Sequence, residues 1–100
     1  MLKENAEKKF GQFVGLINEE GSLDKKTKEL IALVASLLVD CEPCILSHLA
    51  NVRKEGGSWE EISEALTIAM AITANKLRVN ALNAKTSLHK LEPLGKKSST

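Results

Sequence analysis

The stretch LIALVASLLVDCEPCILSH, residues 30–48, decides the fold. Leu30 to Val39 is apolar on nearly every side, as in a central helix surrounded by the rest of the fold or by neighbouring subunits. Asp40 is a good helix cap, and Pro43 is tolerated in a first turn, where its missing N–H has no helical partner to lose. A turn near Asp40 to Pro43 therefore opens another helix. On that helix Cys41, Cys44 and His48 project from one face over two turns.

Working outward, Phe10, Phe13, Val14 and Ile17 fall at i, i+3, i+4 and i+7. Residues from about Lys3 to Asn18 thus read as an amphipathic helix that ends before Gly21. Asp24 is positioned to cap the apolar helix. On the other side Gly56 and Gly57 stop the cysteine-bearing helix, and Ser58 followed three residues later by Glu61 forms a capping box. Ile62, Ala65, Leu66, Ala69 and Ile72 then continue a helical stripe. From Thr73 to Leu91 nothing interrupts the helical pattern, but one rod from Ser58 to Leu91 is long for a compact domain, so a break is expected near Ala74 to Lys76. Pro93 and Gly95 end the pattern. The expected architecture is all-α, about five helices in a single domain over 1–93 with a flexible tail over 94–100. There is no strand pattern and no internal repeat.

The composition fits that class. Hydrophobic residues make up 43%, yet Phe10, Phe13 and Trp59 are the only aromatics, so the core must come from Leu, Ile, Val and Ala, a mixture that favours helices. A helical domain of 100 residues leaves much apolar surface exposed unless it pairs with copies of itself. Lys and Arg number 14 against 13 Asp and Glu, so no basic field exists to attract nucleic acid or an anionic membrane surface. The charged start MLKENAEKKF is unlike a secretory signal, and no apolar run is long enough to span a bilayer. A cytoplasmic protein is the expectation. In that reducing compartment a C-x-x-C pair is more often catalytic or metal-binding than a structural staple.

The residues themselves suggest redox chemistry. Cys41 and Cys44 sit in a first turn, where unpaired N–H groups and the helix dipole favour the thiolate, the reactive form. Neutral His48 can take a proton from Cys44 and return it, if a carboxylate fixes its tautomer. Glu29 is a candidate partner, and it faces His48 only if the two central helices run back alongside one another. Plainer readings stand beside these. The cysteines could be small buried hydrophobes, His48 a spacer bonded to a carbonyl, and Glu29 a solvated residue paired with Lys25 or Lys26. Zinc is a sharper rival, with Cys41, Cys44 and His48 as three ligands and Asp40 or His89 as a fourth. Trp59 reads as a packing anchor and Met70 as core. Lys25, Lys26 and Lys28 read as a solvated face, and Asn75, Asn80 and Asn83 are unusual within a helix.

Glu29, then Cys41, Cys44 and His48, followed by SWEEISEAL, resembles the AhpD-like branch of the carboxymuconolactone decarboxylase family over about Leu23 to Met70. The added Glu and His make the pattern far more restrictive than a bare C-x-x-C. The resemblance implies an all-helical subunit that assembles as homo-trimers or homo-hexamers and reduces hydroperoxides or disulfides with its cysteine pair. It further implies that Cys44 attacks a peroxide, Cys41 resolves the sulfenic acid as a disulfide, and Glu29 with His48 relays protons. A thiol or dithiol reductant would then restore the site by exchange. Neither a cofactor nor a metal is called for. The family's name supplies an alternative, decarboxylation of a lactone acid, which gives the dithiol no role; a zinc-stabilised assembly module is the non-enzymatic one. Glu42 and Pro43 between the cysteines depart from fuller members and are expected to constrain the first turn.

Overall fold

In the computed structural model, residues 1–92 are described, and the expected tail lies outside them. Four α-helices occur among the described residues: α1, Glu4–Gly15; α2, Lys25–Leu38; α3, Glu42–Lys54; and α4, Trp59–Leu91. A 3-10 turn, Leu16–Asn18, extends α1, and no strand occurs among the described residues. The chain divides into two units, the first comprising Met1–Ala65 and the second beginning at Leu66 within α4.

α1 forms where its periodicity predicts, with Glu4 and Glu7 in the first turn facing the positive end of the dipole. The expected helix to Asn18 ends earlier, at Gly15, and its last residues tighten into the 3-10 turn. None of its residues is buried, and the Phe10 and Phe13 rings lie 6.4 Å apart on an exposed face. α2 starts where Asp24 accepts the Thr27 N–H at 2.7 Å, an N-cap. Lys28 reaches back from α2 to donate to the Glu19 carbonyl.

The connection from α2 to α3 differs from the expected Asp40 cap. Asp40 adopts φ +54, the left-handed region, and Cys41 is the N-cap residue of α3, with extended φ −102 and ψ 92. The Asp40 N–H bonds the Leu37 carbonyl at 3.3 Å and the Cys41 N–H bonds the Ser36 carbonyl at 3.0 Å. Those two bonds make a Schellman motif that closes α2, and its left-handed position falls to Asp40 because aspartate tolerates it better than most residues. One residue of turn therefore separates the two helices. α3 ends by the same device: Gly56 has φ +85, its N–H bonds the Arg53 carbonyl at 3.1 Å, and the Gly57 N–H bonds the Val52 carbonyl at 2.8 Å. A Cβ on Gly57 would meet Val52 Cγ1 at 2.4 Å, so this approach requires glycine.

α2 and α3 pack against each other as an antiparallel hairpin. Ser36 pairs with Cys41 through the backbone, and Glu29 with His48 through side chains; both pairs are symmetric about the same point between Leu38 and Val39. Leu33, Val52 and Ile62 are buried apolar side chains on α2, α3 and α4, and Ser36 is buried with its hydroxyl donating to the Ala32 carbonyl at 2.7 Å. The expectation of an α2 surrounded on every side is not met within the chain, since Ile31, Leu37, Leu38 and Val39 are exposed.

The capping box at α4 forms as expected: Glu61 N–H to Ser58 Oγ at 3.0 Å and Ser58 N–H to Glu61 Oε1 at 2.9 Å. The break expected near Ala74 to Lys76 is absent, and α4 runs unbroken for 33 residues, so the described residues hold four helices rather than about five. Its physical basis is local: the span lacks Gly and Pro, and Thr73 and Thr86 return their hydroxyls to the carbonyls of Ala69 and Leu82 without breaking the ladder. Trp59 and Met70, expected as anchor and core, are 57% and 70% exposed. Trp59 instead stacks under the Arg53 guanidinium at 4.8 Å, and Arg53 also donates to the Gly57 carbonyl at 2.9 Å, which braces the turn between α3 and α4.

Candidate functional site

The α2–α3 hairpin brings the four residues singled out in the sequence onto one short segment. Cys41 and Cys44 are joined as a disulfide, with Cα atoms 5.3 Å apart, and both are half-buried. Cys41 is held by its backbone to the end of α2, while Cys44 lies at the third position of α3 with Pro43 before it. His48 follows Cys44 by one helical turn, about 6 Å along the axis.

Glu29 Oε2 lies 2.6 Å from His48 Nδ1, with side chains 14% and 25% exposed. The sequence left this pairing conditional on the helices running back to back, and the hairpin register meets the condition. Glu29 does not pair with Lys25 or Lys26. Lys26 instead bonds Glu61 Oε2 at 2.8 Å, tying the start of α2 to the start of α4. An ionised carboxylate only accepts, so His48 Nδ1–H donates to Glu29 and the imidazole's free lone pair is on Nε2. Such a histidine is equipped to take a proton at Nε2 while Glu29 stabilises the resulting imidazolium.

Shifted ionisations lie at the starts of α2 and α4. Asp24 is held below the ordinary carboxylate range chiefly by the Thr27 backbone N–H. Glu61 is lowered first by its hydrogen bond from Lys26 and next by the Ser58 N–H, and Lys26 is correspondingly raised by Glu61. All three favour their charged forms and hold the first turns that position the hairpin.

A polar cavity of about 210 Å³ reaches Glu29 and is also lined by Asn18, Lys25, Asn51, Lys54 and Glu55. Asn51 and Lys54, three residues apart on α3, face this cavity with Glu29, a feature that the sequence reading missed and that their i, i+3 spacing carried. Among the described residues no group of three or more His, Cys, Asp or Glu side chains is arranged to hold a metal. No helix among them is long and apolar enough to cross a membrane.

Comparison with known proteins places the chain in a family. Residues 5–86 match the family model described as carboxymuconolactone decarboxylase family. Over 73 residues the chain is 34% identical to uncharacterized protein 4 in the cox locus of Paracoccus denitrificans, covering 73% of this chain and 66% of that protein. Over 67 residues it is 36% identical to alkyl hydroperoxide reductase AhpD of Corynebacterium kroppenstedtii, covering 67% of this chain and 38% of the reductase. The match thus spans well under half of that enzyme's length. Among solved structures, a carboxymuconolactone decarboxylase family protein from Thermotoga maritima is 35% identical with a TM-score of 0.58, covering 92% of this chain and 100% of that one. A protein from Methanobacterium thermoautotrophicum is 30% identical with a TM-score of 0.66, covering 88% and 95%.

Proposed function

This chain belongs to the carboxymuconolactone decarboxylase family as an AhpD-like member, and from that premise we propose that it is a thiol-dependent oxidoreductase acting on alkyl hydroperoxides or disulfides. The observation that carries the reading is the Cys41–Cys44 disulfide on the same hairpin as a His48 already oriented by Glu29. In the reduced protein His48 Nε2 takes the Cys44 proton, and the Cys44 thiolate attacks the distal peroxide oxygen. The O–O bond breaks, the departing alkoxide takes the proton back from His48, and Cys44 is left as a sulfenic acid. Cys41 then attacks that sulfur, expelling water and closing the disulfide before further oxidation. A thiol or dithiol reductant reopens it by exchange.

The reading includes assembly as a homo-trimer or homo-hexamer in the cytoplasm. Its support is the small core, three buried apolar side chains among the described residues, together with an exposed apolar stripe along α1 and the following 3-10 turn formed by Phe10, Phe13, Val14 and Ile17. Such a stripe is what a second copy of the chain would cover.

The test is a thiol titration and a non-reducing mass spectrum before and after a stoichiometric alkyl hydroperoxide. Two thiols per chain should disappear with the loss of two hydrogens, reversibly with dithiothreitol, and Cys44→Ser should abolish the change. Retention of both thiols by the wild type would refute the proposal.

A further inference from the structure

Resting on that redox reading, we infer that in the reduced protein Cys41 is the N-cap of α3, its Sγ held as a thiolate by the Cys44 N–H, so that the recycling dithiol attacks at Cys44. α2 and α4 begin with side-chain caps, from Asp24 and from Ser58 with Glu61, whereas α3 begins with none. Yet Cys41 has the extended backbone of an N-cap, and its carbonyl already accepts the first helical bond, from Ile45 N–H at 2.9 Å. Its backbone is fixed from the other side as well, by the bond from its own N–H to Ser36. Its sulfur is bound to Cys44 and makes no capping bond.

An N-cap side chain accepts from the N–H of the second or third helical residue. In α3 the second residue is Pro43, which has no N–H, and the third is Cys44. Pro43 therefore leaves the Cys44 N–H as the sole capping donor, and Cys41 is the residue at the N-cap position from which a side chain accepts it. Breaking the disulfide frees the Cys41 sulfur, and a thiolate at an N-cap is favoured by the charge-assisted bond and by the helix dipole.

The two sulfurs then divide the work. During reduction a dithiol's thiolate attacks Cys44 Sγ. The Cys41–Cys44 bond breaks, and its electron pair stays on Cys41 as the better leaving group. The donor's second thiol attacks its own sulfur in the mixed disulfide and releases Cys44. Of the two protons the donor gives up, one ends on Cys44 and one passes to solvent. During oxidation the Cys41 thiolate attacks the Cys44 sulfenic sulfur, the S–O bond breaks, and the hydroxide takes a proton from solvent.

The experiment is an ultraviolet thiolate titration of Cys44→Ser, which retains Cys41 and the capping N–H, against Cys41→Ser, which retains Cys44. Cys41 should ionise at least about one pH unit below Cys44, a tenfold difference in thiolate at a pH below both midpoints. Midpoints that coincide or fall in the reverse order would overturn the inference. A second measurement keeps it falsifiable if a variant fails to fold: reduced wild type is given limiting iodoacetamide near pH 6, and the label is located by peptide mapping. Label predominantly on Cys41 supports the inference; equal label, or more on Cys44, overturns it. Neither measurement uses peroxide, so a protein that retains its thiols under oxidant fails the redox reading alone.

Discussion

Replacing Glu29 with Gln tests the proton relay with almost no change of shape. The carboxylate accepts the His48 Nδ1–H at 2.6 Å, a short charge-assisted bond between side chains that are mostly buried. Bonds to a charged partner contribute about 1.5–3 kcal/mol and neutral ones about 0.5–1.5, so the amide forfeits about 1–2 kcal/mol of imidazolium stabilisation. If His48 carries the Cys44 proton in the transition state, that loss slows sulfenic acid formation about 5- to 30-fold. The amide can also turn its NH₂ toward Nδ1, which shifts the ring proton to Nε2 and removes the lone pair that receives the Cys44 proton; the loss is then larger. The assay is the second-order rate of thiol disappearance under limiting alkyl hydroperoxide, with circular dichroism to establish that the helices persist. Oxidation of a folded Glu29→Gln protein at the wild-type rate would refute the role given to this pair.

Four further outcomes follow from the same structure. Gly57→Ala should destabilise the fold by about 1–3 kcal/mol in urea, because its Cβ would lie 2.4 Å from Val52 Cγ1 and 2.8 Å from the Val52 carbonyl oxygen. Ser58→Ala should cost about 1 kcal/mol of thermal stability through the lost cap. Asp24 and Glu61 are shifted below their ordinary values, so their contribution is complete above the usual carboxylate range and disappears as pH falls through their lowered folded-state values. An acid titration of wild type should accordingly lose stability on the acid side of that range, with a shallower loss in Glu61→Gln. Phe13→Glu, placing charge in the α1 stripe, should lower the assembly mass in analytical ultracentrifugation while leaving the disulfide intact; an unchanged mass would remove α1 from the interface.

Much of this site was legible because its parts are local. The Ser58–Glu61 box and the Asp24 cap need only three-residue spacing, and the cysteine and histidine positions share a helix face by arithmetic alone. Glu29 was not legible from spacing, since its partner is 19 residues away and depends on the hairpin register. Asp40 was misread because aspartate suits both an N-cap and a left-handed C-terminal position; with so little chain between α2 and α3, closing α2 took precedence. The unbroken α4 was missed because the expected break came from a length typical of compact domains, whereas nothing in residues 73–77 opposes helix. Met70 and Trp59 were expected to be covered because they are large and apolar, but side-chain character does not say whether another surface of the same chain reaches them.

The turn at Asp40 also sets how the active segment can vary. With one residue between two locked helix ends, inserting another would disrupt the backbone bonds of Asp40 and Cys41 that set the register and carry His48 out of line with Glu29. Length polymorphism should therefore be excluded between Glu29 and His48, while the connection before Asp24 has no such restriction. Those 20 residues hold both sulfurs, the imidazole and its carboxylate partner, in a register set by the turn itself. They form a portable cassette, suited to grafting into an unrelated antiparallel helical pair that preserves the turn.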